Sequence, residues 1–230
     1  MFNLLEKKIN IVFKDKNVLK TAFVHRSYLN ENKKFTLPSN ERLEFLGDSV
    51  LSLITAVYLY KNYSQLKEGE YTEIKSAIVK TESLAEAARR LGLGKYLFLS
   101  KGEEKEGGRT NKNILADCFE ALIGAIFLDK NFETAYKFVI EYLFKNKIDY
   151  IVKNRLYLSN KTRLQEILQA KYKKIPEYRI LMEKGPDHKK IFTVGIFFNN
   201  KFIVKASGGS KKEAEEKAAG LALKKILSMV

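Results

Sequence analysis

The sequence predicts two domains of different class: an all-α domain over residues 1–152 and a small α+β domain, of order α-β-β-β-α, over residues 160–230. Apolar residues recur at helical spacing as far as about residue 151. Beyond residue 154 the sequence pattern changes. Short runs rich in β-branched and aromatic residues appear, and such runs are typical of strands. Residues 153–159 lie between the two patterns and are predicted to form a linker.

The N-terminal domain is predicted to contain five helices joined by loops. Asn40 is of a residue type that caps helix N-termini, and it marks the start of the second helix. Gly92 and Gly94 end the third helix, because glycine is favoured just beyond a C-terminus. The segment 101–113 is rich in glycine and charge and is predicted to be an exposed loop. The predicted helices are 15–28, 40–63, 70–90, 111–128 and 131–150.

The C-terminal domain is predicted to begin and end with a helix and to hold three strands between them. Asn199-Asn200 is a tight-turn signal between the second and third strands. Small residues on the last helix suit packing on the sheet: Ala214, Ala218, Ala219 and Ala222. The predicted elements are a helix at 161–172, strands at Glu177–Lys184, Lys190–Phe198 and Lys201–Ser207, and a helix at 210–228.

The charge balance points to a polyanionic partner. The chain has 230 residues, 45% of them apolar, and a net charge of +15. Residues 160–230 hold 16 Lys/Arg against 7 Asp/Glu, a net of +9, which leaves +6 for residues 1–159. Such an excess favours nucleic acid or an anionic membrane surface. A generally lysine-rich, solvated surface is the alternative.

Nothing in the sequence predicts export or a membrane anchor. The first residues show no apolar core of a signal peptide, and no run reaches the ~18 apolar residues of a membrane span. The single cysteine, Cys118, cannot form an intrachain disulfide and lies in an apolar helical run, so we expect a buried thiol. We expect a cytoplasmic protein without a membrane partner.

Carboxylates cluster on two of the predicted helices. At about 100° per residue, Glu41, Glu44 and Asp48 fall at about 0°, 300° and 340° around the second helix. Asp117 and Glu120 lie three residues apart in the otherwise apolar fourth helix. Like charges at this spacing repel, and burying unpaired carboxylates is costly, so we expect a cation to compensate for them.

A divalent metal is one candidate for that cation. Gly124 would let another helix approach closely, and a crossing of the two helices would gather four or five carboxylates. Hard oxygen ligands suit Mg²⁺ or Mn²⁺, which activate water and stabilise the leaving oxygen of a phosphodiester. The single cysteine and two distant histidines disfavour zinc. The alternative is that the acids cap helices or pair with basic side chains, the candidates being Arg26, Arg42 and Lys75.

Four segments resemble the ribonuclease III family. Glu41–Ser49 resembles the nine-residue signature of the family, and Ala22–Tyr28 resembles the segment that precedes it. Leu115–Gly124 is similar to the family's second acidic motif, and Lys67–Glu70 matches a further acidic position. The resemblance covers the whole chain in the bacterial order, a nuclease domain followed by a double-stranded-RNA-binding domain.

The resemblance implies an endoribonuclease that hydrolyses double-stranded RNA with metal-activated water and leaves 5′-phosphates and short 3′ overhangs. It implies roles in ribosomal RNA processing and messenger RNA decay. The cofactor would be Mg²⁺, replaceable by Mn²⁺, with no small-molecule cofactor. The implied metal ligands are Glu44, Asp48, Asp117 and Glu120, of which Asp48 and Glu120 are most tied to catalysis, while Glu41 and Glu68 match acidic positions of less defined role.

The resemblance also implies a homodimer with one active site for each RNA strand. Phe45 lies about 100° from Glu44 around the helix, so it cannot share the face of the carboxylates. A large aromatic side chain there must be buried in its own domain or in a partner, and the resemblance favours a partner. The alternative is that Phe45 belongs to the core.

The C-terminal domain resembles the double-stranded-RNA-binding domain. His188, in the turn between the first two strands, matches the minor-groove loop, and Glu215 stands where many such domains carry a lysine. An ordinary solvated helix surface is the alternative for the first helix. The implied contacts to RNA are Gln165, Glu166 and Gln169 on the first helix, His188, and Ser210, Lys211 and Lys212 at the start of the last helix.

Two functions of other classes compete with this interpretation. A non-catalytic RNA-binding or ribosome-associated protein could keep the fold, but such proteins tend to lose the acidic set that this chain retains. A metal-dependent nucleotide hydrolase would use the acids, but it would not need the C-terminal RNA-binding domain.

Overall fold

The chain divides into two compact units, Met1–Tyr157 and Leu158–Val230. A computed structural model describes residues 2–145, 147–186 and 189–227. The boundary between the units falls inside the segment 153–159, and each unit is described by itself below.

Unit 1 is all-α, as the sequence predicts. Short 3₁₀ turns at Leu93–Tyr96 and Gly108–Thr110 and a π-helical turn at Ile140–Phe144 join some of its helices. The α-helices are α1 (Asn3–Ile9), α2 (Lys16–Thr21), α3 (Arg26–Glu31), α4 (Glu41–Asn62), α5 (Glu68–Ile78), α6 (Thr81–Leu91), α7 (Lys101–Lys105), α8 (Lys112–Asp129), α9 (Phe132–Val139) and α10 (Lys147–Lys153).

The prediction of one helix over 15–28 is wrong, because the chain leaves the helix between α2 and α3. Val24 forms a parallel bridge with Phe98, and its carbonyl accepts a hydrogen bond from the Asn40 backbone N–H at 2.8 Å. His25 then starts α3 as its N-cap. These partners come from distant parts of the chain, so local apolar periodicity did not reveal them.

Three other expectations are corrected. The helix predicted over 70–90 breaks at Val79-Lys80, where Lys80 adopts an extended backbone before α6 begins. The helix predicted over 131–150 continues from α9 into the π-helical turn and ends before α10. The predicted loop 101–113 contains α7, which begins because the Ser100 hydroxyl accepts a hydrogen bond from the Glu103 backbone N–H. Helix α1 was not predicted.

The core of unit 1 is built around α8, which is buried along most of its length and packs against α4 and α6. Cys118 is fully buried there, which confirms the expectation of a buried thiol. By length and composition α4 could cross a membrane, but core helices of soluble proteins pass the same test. Here α4 is the helix that packs most extensively against α8.

Unit 2 has the predicted α-β-β-β-α order. The strands form one antiparallel sheet of order β1-β2-β3, and Asn199 and Asn200 take the left-handed backbone that a tight hairpin turn requires. Both helices pack on one face of the sheet around Leu164, Ile196 and Ala218. The elements are α11 (Asn160–Tyr172), β1 (Glu177–Lys184), β2 (Ile191–Phe198), β3 (Lys201–Gly208) and α12 (Lys211–Leu227).

Candidate metal centre and nucleic-acid interface

Helices α4 and α8 touch backbone to backbone at two glycines. A Cβ atom on Gly47 would lie 1.8 Å from the Glu120 carbonyl oxygen, and one on Gly124 would lie 2.3 Å from the Leu43 carbonyl oxygen. Any larger residue would push the helices apart. The expected close approach at Gly124 is therefore confirmed, whereas the matching role of Gly47 was not foreseen.

This crossing brings together three of the predicted carboxylates. Glu44 of α4 and Asp117 and Glu120 of α8 each offer an oxygen atom, and these atoms all lie within 4.8 Å of one another. All three side chains are half-buried. None of them forms a hydrogen bond or an ion pair with another residue in the part of the chain that the structure describes.

Burial and mutual repulsion both act on the protons of this cluster, which we call the acidic cluster (Glu44, Asp117 and Glu120). Burial, followed by the charges of Asp48, Glu44 and Asp117, raises the pKa of Glu120 to about 8. Burial and the Asp117 charge raise the pKa of Glu44. Burial also raises the pKa of Asp117, although the nearby charges of His25 and Arg26 partly oppose it. Negative charge in the acidic cluster is therefore under-compensated by the protein.

The acidic cluster fits a hard divalent cation. Its donors are carboxylate oxygens only, which is the ligand type that Mg²⁺ and Mn²⁺ prefer. Converging, half-buried carboxylates that form no ion pair among the described residues are unstable when all are ionised, and a bound divalent ion would remove that penalty.

The other predicted acids lie outside the acidic cluster. Asp48 is exposed one turn after Glu44 on α4, near enough for its charge to act on Glu120. Glu41 lies 3.8 Å from Arg26 and accepts a hydrogen bond from the Ser39 hydroxyl at 2.7 Å. The alternative that the acids pair with basic side chains therefore holds for Glu41 but, among the described residues, not for Glu44, Asp117 and Glu120. Glu68 is exposed at the start of α5 and lies outside the group.

His25 is a residue near the acidic cluster that the sequence argument left without a role. Its Nδ1 atom lies 2.8 Å from the oxygen of the Ser27 hydroxyl, and that oxygen accepts a hydrogen bond from the Ser100 backbone N–H at 3.1 Å. The imidazole is close enough to Asp117 to influence the pKa of that carboxyl. The only sequence signal for this position was the resemblance of Ala22–Tyr28 to the family, because a single histidine has no partner residue at a diagnostic spacing.

The predicted RNA contacts of unit 2 lie on α11 and at the start of α12. Gln165 and Gln169 are exposed on α11, and Glu166 beside them is half-buried. The Ser210 hydroxyl accepts a hydrogen bond from the Glu213 backbone N–H at 3.2 Å, so it caps α12. His188 lies outside the described residues.

The two lysines that open α12 differ in their surroundings. The Lys211 ammonium lies 3.5 Å from the Glu183 carboxylate and 5.6 Å from the centroid of the Phe192 ring. Lys212 is exposed. Glu215, which departs from the pattern of similar domains, accepts a hydrogen bond from the Lys161 ammonium at 2.7 Å. That carboxylate neutralises a lysine at the start of α11.

An apolar stripe runs along the exposed side of α4. Phe45, Leu53 and Tyr60 recur on one side of the helix and are 79%, 54% and 76% exposed. A cleft of about 500 Å³ is lined by Leu43 and Leu46 of α4 and by Leu128 of α8. Phe45 is thus outside the core of its own chain, contrary to the core alternative.

Comparisons with known proteins identify the same family for both units. A family model described as Ribonuclease-III-like matches residues 15–147, and one described as Double-stranded RNA binding motif matches residues 160–226. Ribonuclease 3 of Enterococcus faecalis is 44% identical over 222 residues, 96% of each chain. Ribonuclease 3 of Fusobacterium nucleatum is 44% identical over 215 residues, 94% of this chain and 91% of its own. A solved nuclease domain of ribonuclease III from Campylobacter jejuni has a TM-score of 0.59 at 37% identity, covering 64% of this chain and 99% of that one.

Proposed function

The chain belongs to the ribonuclease III family and is a double-stranded-RNA endoribonuclease, and on that premise we propose that it cuts with Mg²⁺ bound at the acidic cluster. The ligands are Glu44, Asp117 and Glu120 together with Asp48 from the next turn of α4. Mn²⁺ substitutes for Mg²⁺, because both accept all-oxygen sites. The convergence of three half-buried carboxylates within 4.8 Å carries this proposal.

When bound, the divalent ion stabilises charge on the phosphodiester and makes water acidic enough to attack at neutral pH. The protein's own part is to hold the carboxylates in place on two helices locked by Gly47 and Gly124. Because the pKa of Glu120 is about 8, its carboxyl group is protonated at neutral pH when no cation is bound. A bound cation would favour the ionised carboxylate. Asp48 and Glu120 are the residues closest to catalysis. Glu41, which pairs with Arg26, and Glu68, at the start of α5, lie outside the acidic cluster, and we assign them no direct step.

The active unit is a homodimer in which the two chains contact each other through the apolar stripe of α4 (Phe45, Leu53 and Tyr60). Phe45 is 79% exposed, and an isologous contact would bury it in the partner, with the cleft beside Leu46 as its receiving site. The solved Campylobacter jejuni nuclease domain is described as having a region involved in dimer formation. A twofold axis supplies one cluster to each of the two antiparallel RNA strands, and the spacing of the two clusters staggers the cuts, which leaves short 3′ overhangs. Water attacks phosphorus and the 3′-oxygen leaves as a hydroxyl, so the downstream fragment keeps a 5′-phosphate.

Unit 2 supplies affinity for the duplex. Gln165, Glu166 and Gln169 of α11 face the minor groove, while Ser210, Lys211 and Lys212 meet phosphates. His188, outside the described residues, stays a minor-groove contact that only the family resemblance predicts. The pairing of Glu215 with Lys161 reduces the positive charge on this surface. The substrates are duplex regions of ribosomal RNA precursors and messenger RNAs, and the protein works in the cytoplasm.

The test is cleavage of an RNA duplex labelled on both strands, with Mg²⁺, with Mn²⁺ and with a chelator. The wild-type chain should cut only with a divalent ion, while Glu120→Gln and Asp48→Asn should abolish cleavage and keep duplex binding. Glu106→Gln, an exposed glutamate of the segment after α7, is the matched control and should cut normally. Normal cleavage by either Glu120→Gln or Asp48→Asn in Mg²⁺ would contradict the metal assignment.

A further inference from the structure

The sheet of unit 2 has an outer face that α11 and α12 leave open. Both helices pack on the inner face, where Ile196 and Phe198 point, so the alternating residues Gly195 and Phe197 point outward. Leu181 and Phe202 on this outer face are 46% and 52% exposed. Contiguous apolar surface of this kind marks an interaction site.

The outer face is aromatic and continuous. The rings of Phe197 and Phe202, on adjacent strands, have centroids 5.6 Å apart at an interplanar angle of 68°. A Cβ atom on Gly195 would lie 2.8 Å from Leu181 Cδ1 and 3.2 Å from Phe197 Cε2. Gly195 therefore allows the side chains of Leu181 and Phe197 to pack over its backbone. Together with Phe202 they form a continuous apolar surface, which we call the aromatic strip (Leu181, Phe197 and Phe202).

Cationic groups border the aromatic strip. The Arg179 guanidinium lies 4.4 Å from the centroid of the Phe197 ring and donates a hydrogen bond to Glu177 at 2.6 Å. Lys205 is exposed and pairs with Gly195 across the strands, so it shares the outer face. Two cations and one acid surround the rings, which leaves the surface positive.

We propose that this outer face binds single-stranded RNA, with unpaired bases stacked on Phe197 and Phe202 and phosphates held by Arg179 and Lys205. Only unstacked bases offer their ring faces to aromatic side chains, so the ligand is an unpaired segment rather than a duplex. A second copy of the chain is disfavoured, because self-association of this face would gather two Arg179 and two Lys205 side chains in one interface. The site lies on the opposite side of the sheet from the duplex contacts of α11 and α12.

The test uses the full chain in chelator, so that the nuclease does not cut. Fluorescein-labelled single-stranded RNA on the order of a dozen nucleotides long is compared with a duplex of the same sequence. Phe202→Leu should weaken single-strand binding by about fivefold or more, whereas Phe202→Tyr keeps a stacking ring and should bind like wild type. Arg179→Gln should also weaken it. Leu221→Ala, an apolar position on α12 that is 46% exposed, is the control and should change nothing.

Duplex affinity separates the proposal from trivial explanations. It should stay within about twofold of wild type in all four variants, since the duplex contacts lie elsewhere. Unchanged single-strand binding in both Phe202→Leu and Arg179→Gln overturns the proposal. Equal losses for single strand and duplex also overturn it, because they indicate damage to the fold or to one common site. Unchanged single-strand binding with altered sedimentation would assign the face to protein association instead.

Discussion

Replacing Glu120 by glutamine should make the metal-free protein more stable, and only at neutral to alkaline pH. Glu120 lies against Glu44 and Asp117 in the acidic cluster and ionises against burial and repulsion. Its pKa in the folded chain is raised, so the folded state holds the proton more tightly than the unfolded state does. The stabilisation from that proton is complete below the unfolded pKa and is lost as pH rises through the folded pKa.

The size of the effect follows from the two pKa values. The carboxyl moves from an ordinary value of 4.5 to about 8 on folding, and each pH unit between them corresponds to about 1.4 kcal/mol. The upper bound is therefore about 5 kcal/mol. Because Glu120 is only half-buried, solvent screening reduces the expected gain to ~2 kcal/mol.

The assay is urea unfolding of wild type and Glu120→Gln at one protein concentration, in chelator, from pH 4.5 to pH 8.5. The two unfolding free energies should agree at the acidic end and diverge as the wild type loses stability. Adding Mg²⁺ at the alkaline end should then raise the stability of wild type more than that of the variant. A difference that stays constant with pH, or an equal response to Mg²⁺, would refute the account of the cluster.

Three further outcomes are expected. A chain ending near Val152 should bind duplex far more weakly in gel shifts but still cut it at low salt and high enzyme concentration; no cleavage under any condition would contradict a self-sufficient unit 1. Lys211→Ala and Lys212→Ala should each flatten the slope of log affinity against log salt by less than one, and Lys211 by the smaller amount because Glu183 already neutralises it in part. Unchanged slopes would remove both from the phosphate contact. A heterodimer of wild type and Glu120→Gln should nick one strand of a doubly labelled duplex and leave the other whole, whereas double-strand cuts would refute one site per strand.

The sequence predicted the elements of unit 2 almost to the residue, because strand alternation and the Asn199-Asn200 turn are local signals. In unit 1 it fused helices that the structure separates. The break at Val24 depends on pairing with Phe98, more than seventy residues away, and the break before α6 depends on an extended backbone at Lys80. Apolar periodicity continues through both breaks, so the pattern alone could not mark them.

The sequence identified the residues of the acidic cluster but not which of the predicted carboxylates lie close together. Spacing placed Glu44 on one apolar helix and Asp117 and Glu120 on another, and Gly124 suggested a close crossing. The spacing also grouped Glu41 and Asp48 with Glu44, although the structure gathers only Glu44 with the two acids of α8. Which member of a helical stripe faces its neighbour depends on the crossing point, and Gly47 determines that point.

The contact at Gly47 and Gly124 makes the mutational tolerance of the centre uneven. The distance between the carboxylate-bearing helices is set by peptide groups touching peptide groups, rather than by how apolar side chains fill the space between them. Conservative substitutions of core residues elsewhere along α8 can therefore accumulate during evolution without separating Glu44 from Glu120. At these two glycines, by contrast, even one added methyl group collides with the opposite backbone. An engineer diversifying this enzyme would keep both positions fixed and vary the core around them.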